Sequence, residues 1–258
     1  MFYYLCPENT IMAEGITKEW FTCWFNSRYY DILYKDRDQT EADTFIHNLV
    51  KFLNPAPHSF MLDLACGKGR HAISLGKMGY NVTGIDISDK NIHSAETSAR
   101  RNLEFYIHDM RKPFMVNYYD YVFNLFTSFG YFDNERENQA VITNIYNALK
   151  PNGVFVLDFV NIKKATHNLS QFEEKEVDGV QFVVRRSVQD NFLIKNIEVT
   201  DGAQHFTYQE KVYMFTPETL SVLLEKQGFE AVKTFGDYNL STFTPATSDR
   251  FILISKKK

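Results

Sequence analysis

Between residues 60 and 160, short apolar runs of strand character alternate with amphipathic helical patterns, and that alternation restricts the chain to a parallel sheet with helices packed on its faces. Strands are expected at about 60–65 (FMLDLA), 80–86 (YNVTGID), 103–108 (LEFYIH), 119–126 (YDYVFNLF) and 153–160 (GVFVLDFV), with helices at about 69–78, 90–101 and 134–149. Ser88 or Asp89 is placed to cap the second helix and Asp133 or Asn134 the third, because these side chains accept from the orphan amides of a first turn. Pro151-Asn152-Gly153 reads as a turn before the fifth strand, with Gly153 supplying the positive φ of a helix exit.

The flanks differ. Residues 17–53 read as helical, with Phe45, Leu49, Phe52 and Leu53 along one face. After residue 165 the period changes to two, and Asp178-Gly179, Asp190-Asn191 and Asp201-Gly202 separate the segments of an antiparallel meander of about four strands. A helix follows at about 217–227, with Thr216 as cap, Pro217 at its first position and Gly228 ending it. Two strands, about 229–236 and 250–256, close the chain. The expected division is a helical lid segment (1–53), a sheet domain (54–165 with 215–258) and an antiparallel insertion (166–214) that covers the cavity or forms a homodimer surface.

The formal net charge of −4, with Lys256-Lys257-Lys258 as the one compact basic run, supplies no general attraction to phosphate backbones, so nucleic acid is not an expected partner. Cys6, Cys23 and Cys66 form no CxxC pair and leave one over, the usage of a reducing cytoplasm. The histidines at 47, 58, 93, 108, 167 and 205 lack metal-ligand spacing, and no metal is expected. No apolar run reaches the roughly 20 residues of a membrane helix, and the N-terminal stretch has no basic segment ahead of its apolar residues. A cytoplasmic protein without a membrane partner is the expectation. The 23 Phe and 15 Tyr supply core bulk, and some of the tyrosines suit a pocket wall with a polar tip.

The first strand runs into Asp63-x-Ala65-x-Gly67-x-Gly69, a loop suited to bringing backbone close to a ligand. In a parallel sheet, ligands bind at the carboxyl ends of the strands, where Asp63, Asp86, His108-Asp109 and Asn124 all fall. Gly67-x-Gly69-x-x-Ala72 also satisfies a dinucleotide fingerprint, so NAD(P) and other adenosine cofactors compete. Asp86 is placed to accept from both ribose hydroxyls under either reading. Asp63 separates them: a carboxylate at the loop mouth repels a pyrophosphate and attracts the ammonium of S-adenosylmethionine. In "IHDMR", Asp109 is placed to accept from an adenine amino group and the Met110 amide to donate to the ring.

"LDLACGKGRHAISLGKMGYNVTGIDIS" closely resembles the cofactor segment of class I S-adenosylmethionine-dependent methyltransferases, and "HDM" and "NALKPNGVFVLDF" resemble later segments of that family, over about residues 20–258. The resemblance implies an α/β, Rossmann-like, seven-stranded and mostly parallel sheet with its last strand antiparallel and helices on both faces. Beside it stand a small antiparallel β insertion and a helical N-terminal lid, the plan of small-molecule enzymes. It implies S-adenosylmethionine as cofactor and S-adenosylhomocysteine as product, held by Asp63, Gly67, Gly69, Asp86, Asp109 and Met110, with Ala65, Cys66 and Ile87 in the same segments. Ala65 stands where the family most often has glycine, a departure expected to matter little because alanine tolerates most backbone angles. Tyr30 (or Tyr29) with Arg37 match the residues that often reach the methionine end of the cofactor.

Methyl transfer from a sulfonium is an in-line displacement, so orientation supplies most of the catalysis. A small-molecule N or O acceptor is expected, because no Asn-Pro-Pro-Tyr-type sequence of nucleic-acid enzymes is present. Asn124 and Phe126 are expected at the methionine moiety, Ser128 and Tyr131 in the pocket. Tyr131, Asp158, Asn161 and Tyr30 are the candidates for a proton acceptor or catalytic contact. His71 is expected on the helix surface or just behind the site, rather than as a base, and Asp237 and Tyr238 in a loop before Arg250 opens the last strand, in preference to facing the cavity. The rivals are an NAD(P)-dependent oxidoreductase, for which no Tyr-x-x-x-Lys pattern is found, and a regulatory protein that holds S-adenosylmethionine without using it.

Overall fold

The computed structural model describes residues 19–35, 39–167 and 169–258. They fall into two units, the smaller drawn from 1–37 and 168–214, the larger from 38–167 and 215–258. The smaller begins with α1 (Trp20–Phe25) and α2 (Arg28–Leu33). The larger runs through α3 (Gln39–Leu53), β1 (Phe60–Leu64), α4 (Arg70–Lys77), β2 (Asn81–Asp86), α5 (Asp89–Glu96), β3 (Leu103–Ile107), β4 (Tyr119–Asn124), α6 (Glu135–Ala148), β5 (Leu149–Val160) and α7 (Ile162–His167). The chain returns to the smaller unit for β6 (Phe172–Val177), β7 (Val180–Gln189), β8 (Phe192–Asp201) and β9 (Gln204–Tyr213). It ends in the larger with α8 (Pro217–Gln227), β10 (Phe229–Phe235) and β11 (Arg250–Lys257).

The seven strands of the larger unit lie in the order β10-β11-β5-β4-β1-β2-β3, and β11 alone among them runs antiparallel to its neighbours. One of its packed layers joins Phe45 and Leu49 of α3 to Met61, Leu75, Ile92, Phe105, Phe123, Val156 and Ile252. Helix α3 is therefore part of this unit and not of a separate 1–53 segment. Its apolar stripe is buried in that layer, and Gln39 Nε2 donates to Arg70 O (3.0 Å) and Ser74 Oγ (2.9 Å) on α4.

Local signals explain most boundaries. Ser88 accepts from the Asn91 amide and Asn134 from the Glu137 amide, so the caps are the residues that present a side-chain oxygen to the third turn position. Thr216 and Thr219 form a reciprocal capping box, and Gly228 ends α8 at φ 107°. The expected helix over 90–101 stops at Glu96, because Thr97 Oγ1 donates back to Ser94 O and Arg100 closes a tight turn with Leu103. Strand β4 stops at Asn124 because Phe126 and Thr127 adopt φ 62° and 59°. The expected Pro151-Asn152-Gly153 turn is an irregularity inside β5, across which the register with β4 jumps from Tyr119/Leu149 to Tyr121/Val154. Asn152, not Gly153, carries the positive φ there (64°).

The smaller unit is a meander in the order β6-β7-β8-β9. Its first two hairpins turn at Asp178-Gly179 and Asp190-Asn191, all four residues at positive φ, which matches the right-handed strand twist. The third turns one residue later than expected, at Gly202-Ala203, because Asp201 pairs with Gln204. Trp24, Tyr29 and Leu33 from α1 and α2 pack onto Val180, Phe182, Val184, Ile197, Val199 and Tyr208. The helical stretch thus divides between units, with Ser27 breaking it by capping α2 through the Tyr29 amide.

In the basic C-terminal run Lys256 and Lys258 are exposed, but Lys257 between them is not. Lys257 is buried, and its ammonium donates to Tyr146 O (2.7 Å), Leu149 O (2.7 Å) and Asn117 Oδ1 (3.2 Å), closing the carbonyl end of α6. Lys257→Met, which keeps the apolar stem and removes the donors, is expected to lower unfolding free energy by about 2 kcal/mol in urea titration.

Candidate active site

Strands β1, β2 and β4 end side by side, and the β1–α4 loop is built on two buried carboxylates. Asp86 accepts the Gly67 amide on Oδ2 (2.8 Å) and the Ser88 amide on Oδ1 (2.8 Å). Asp63, 1% exposed, accepts the Ala72 amide from the first turn of α4 (3.1 Å). Burial raises both acids, and it pushes Asp63 up to about 7 against the Ala72 hydrogen bond and the Arg70 charge. Burial likewise drives the Cys66 thiol far above its usual range, so this cysteine stays protonated; its amide donates to Ile85 O at 3.0 Å.

The glycines have distinct duties. Gly69 caps α4 at φ 80°, and a Cβ there would lie 2.6 Å from the Phe105 ring. Gly67, at φ 56°, would carry a Cβ that meets nothing within 4 Å, so its outer face is where a ligand can approach the loop. Ala65 sits at φ 60°, which corrects the expectation that alanine is indifferent there: its Cβ is strained in the left-handed region, and glycine would not be.

Asp109 follows β3 and is gripped by Arg111, through Nη2 on Oδ2 (2.8 Å) and Nε on both oxygens (3.1 Å). Burial raises its carboxyl, but the Arg111 hydrogen bonds outweigh burial and hold it below its ordinary value. Arg111 also reaches Glu137 of α6 (2.7 Å) and lies over the Phe132 ring. Nothing in the local sequence pattern singled Arg111 out. The Met110 carbonyl accepts from Asn144, and the Ile87 backbone, with those of Gly67 and Ser88, hydrogen-bonds the Asp86 carboxyl. Asn124, fully buried, donates to Leu64 O and Ser128 O while its own Oδ1 has no partner.

The largest departure from expectation is at the ends of β4, β5 and β11. Asp158, proposed from sequence as a proton acceptor, is fully buried and accepts from Arg250 Nε (2.7 Å), the Phe126 amide (2.8 Å) and the Tyr238 hydroxyl (3.2 Å). A carboxylate committed to a guanidinium and two further donors is a structural anchor. Arg250 also donates to Thr127 Oγ1 (2.9 Å), so the ion pair clamps the two left-handed residues after β4. Desolvation opposes the Arg250 charge, but Asp158 more than offsets it. Tyr238 lies in the loop between β10 and β11, as expected, and there packs its ring on Phe45 at 4.4 Å; burial first, then the Asp158 charge, raises its hydroxyl. Asn161 donates to Pro245 O and Ser248 O through its amide nitrogen, tying down a loop, while its buried Oδ1 has no partner.

His71 is buried, which excludes the first of its two expected placements, the helix surface, and desolvation, then the Arg70 charge, pulls it down to about 3, leaving a neutral ring. Tyr131 is half-buried between Gly130 and buried Phe132, and Ser128 donates to Leu125 O. Tyr30 lies in the smaller unit among Trp24, Phe25 and Tyr34, and Tyr29 there donates to Asp201. Arg37 lies outside the described residues.

A glycine loop at the mouth of a 3-2-1-4-5 parallel arrangement, an antiparallel last strand and acids at successive strand ends together define the class I methyltransferase plan. The methyltransferase-domain family matches residues 56–216. The chain is similar to a glycine/sarcosine N-methyltransferase of Halorhodospira halochloris, 26% identical over 243 residues covering 91% of this chain and 87% of that one. Its fold matches an S-adenosylmethionine-dependent methyltransferase from Clostridium acetobutylicum ATCC 824 with TM-score 0.75, 18% identity, and 89% and 96% of the two chains covered. It also matches an S-adenosylmethionine-bound amino pentose methyltransferase from Micromonospora echinaspora, with TM-score 0.67, 20% identity, and 90% and 98% covered. The chain belongs to the methyltransferase-domain family, as a class I S-adenosylmethionine-dependent methyltransferase.

Two substitutions test this geometry. Ala65→Gly is expected to raise stability by about 0.5–1 kcal/mol, relief of left-handed strain exceeding the added chain entropy. Asp158→Asn, which strands the Arg250 charge, is expected to cost about 3–5 kcal/mol in the same urea titration.

Proposed function

We propose that this enzyme transfers the methyl group of S-adenosylmethionine to a nitrogen, or alternatively an oxygen, of a small-molecule acceptor. The observation that carries the reading is the row of carboxylates Asp63, Asp86 and Asp109 at the carboxyl ends of three adjacent parallel strands, around a loop open at Gly67. The residues fit the cofactor. Asp86 still has lone pairs for the ribose hydroxyls, Asp109 is held in place for adenine by Arg111, and the unpartnered Asn124 Oδ1 is an acceptor within the site. Ala65, Cys66, Ile87, Met110 and Phe126 are proposed to offer backbone groups to the same cofactor. An NAD(P) reading fits less well, because Asp63 already places a carboxyl group on the α4 amide end where a pyrophosphate would bind.

When bound, the sulfonium supplies an activated methyl whose S–C bond breaks as the acceptor bond forms, and a protonated acceptor atom loses its proton. The chain contributes position: Asp63 holds the ammonium, the clamped Phe126-Thr127 segment shapes the acceptor side, and Tyr131 is the remaining pocket candidate for a contact to the acceptor. Nitrogen is favoured because the relative at 26% identity is named as a glycine/sarcosine N-methyltransferase. A small acceptor rather than a nucleic acid agrees with the net charge of −4, and the described residues contain no helix long and apolar enough to cross a membrane. The meander, with Tyr30 beside it, is proposed to close over the acceptor or to form a homodimer surface.

Calorimetry with S-adenosylhomocysteine and NADH tests the cofactor: binding of the first and not the second is expected, and the reverse would overturn the reading. Methyl transfer to a library of small amines and alcohols tests catalysis, and binding without turnover on any of them would favour a regulatory role. Asp63 provides a sharper test. Its folded-state value near 7 lies above the unfolded one, so the free protein loses stability as pH rises from about 4 to 7, while a bound ammonium favours the ionised form. S-adenosylmethionine should therefore bind more tightly as pH rises through 7. Asp63→Asn should flatten that dependence and weaken binding at pH 8 by about 1–3 kcal/mol, measured by titration calorimetry.

A further inference from the structure

The first residue of α4 is a cation in an unfavourable place. Arg70 sits at the positive end of a helix dipole, its side chain only 21% exposed, and its guanidinium lies 4.5 Å from the Phe126 ring centroid. The Arg250 guanidinium lies 5.5 Å from the same ring, so two like charges share one aromatic neighbour. Arg250 is balanced by buried Asp158 at 2.7 Å. The ion pair of Arg70 among the described residues is a single 3.4 Å contact to Glu41, whose side chain is 43% exposed, and such a contact contributes little. The helix dipole and the like charge of Arg250 act against Arg70, the Phe126 ring and the nearby Asp63 carboxyl act for it, and its outer donors have Glu41 as their one ion-pair partner among the described residues.

The sheet order shows which part of a ligand it faces. Asp86 and Asp109 end β2 and β3, the strands on the adenosine side. Arg70 leans the other way, onto the segment after β4 and toward Tyr238 and Arg250, whose strand pairs with the end of β5. That is the acceptor side.

We infer that Arg70, backed by the Phe126 ring, is the anion-recognition residue of the acceptor site, and that the substrate class is amines bearing a carboxylate, such as small amino acids and their N-methyl derivatives. This deepens the proposed methyl-transfer reading and rests on it. A planar guanidinium held over an aromatic ring presents a fork of donors suited to a carboxylate, and a bound carboxylate would meet donors whose one ion pair among the described residues is the 3.4 Å contact to Glu41. With the carboxylate fixed there, the amine a bond or two away is free to turn toward the methyl.

The test uses the full chain loaded with S-adenosylhomocysteine. Sodium acetate, with sodium chloride at matched ionic strength as control, is expected to raise the Tm of the wild type, and Arg70→Gln is expected to abolish that acetate-specific rise. Free Arg70→Gln should melt at the same temperature as wild type or higher, which a structural role would not allow. Methyl transfer to sarcosine should exceed transfer to its amide roughly tenfold or more in the wild type and lose that preference in the variant. The inference is overturned if acetate gives no specific shift in the wild type, if the shift survives in Arg70→Gln, if the free variant melts lower, or if the two amines are used equally. A tenfold loss of S-adenosylhomocysteine affinity in the variant would overturn it differently, by assigning Arg70 to the carboxylate of the cofactor. Failure of the wild type to bind S-adenosylhomocysteine, read separately by calorimetry, would remove the underlying reading instead.

Discussion

Asp86 accepts two backbone amides, from Gly67 and Ser88, and through them ties the β1–α4 loop to the β2–α5 connection. Asp63 does the same for the start of α4 through Ala72. Each bond links the carboxyl end of one strand to an adjoining loop or helix start, so the crevice keeps its shape only while these buried acids keep their donors. Both carboxyls are raised by burial, which leaves them responsive to any positive charge or hydroxyl pair brought to the loop. Holding the loop and binding a cation-bearing adenosine cofactor are thus demands on the same oxygens.

The other half of the sheet edge is organised by the opposite sign. Asp158 and Arg250 neutralise each other inside the protein and spend their hydrogen bonds on Phe126 and Thr127, two consecutive non-glycine residues at positive φ. Left-handed backbone outside glycine costs free energy and persists only where surroundings over-determine it. Here the surroundings are a buried ion pair from β5 and β11 together with the Tyr238 hydroxyl. The fold therefore separates its work: acids with spare acceptor capacity on the cofactor side, a saturated clamp holding a strained segment on the acceptor side, and Arg70 between them.

Most elements were legible because their signals are local. Period-two and period-3.6 patterns, the Ser88, Asn134 and Thr216 caps, and the Asp178-Gly179 and Asp190-Asn191 turns all act within a few residues. The acids at strand ends could be read because a strand end is itself a local feature. The misreadings have a common origin in partners remote along the chain. Asp158 looked like a free carboxylate until Arg250, 92 residues later, was folded onto it. Tyr238 was read correctly as a loop residue, but its packing on Phe45 and its bond to Asp158 could not be read. The burial of His71 could not be read either, because its helix position said nothing of what would cover it.

By itself the sequence determined the parallel sheet, the glycine loop with its carboxylates and the family, since periodicity, turn chemistry and charge at a strand end need no distant neighbour. The tertiary structure alone decided which titratable groups are spent on structure and which remain for chemistry. It removed Asp158 from the list of proton acceptors, turned Lys257 into a helix clasp, and set Arg70 on the ring of Phe126. A side chain's availability depends on how many donors or charges the fold brings to it and how much water it excludes, and neither quantity exists until the strands are side by side.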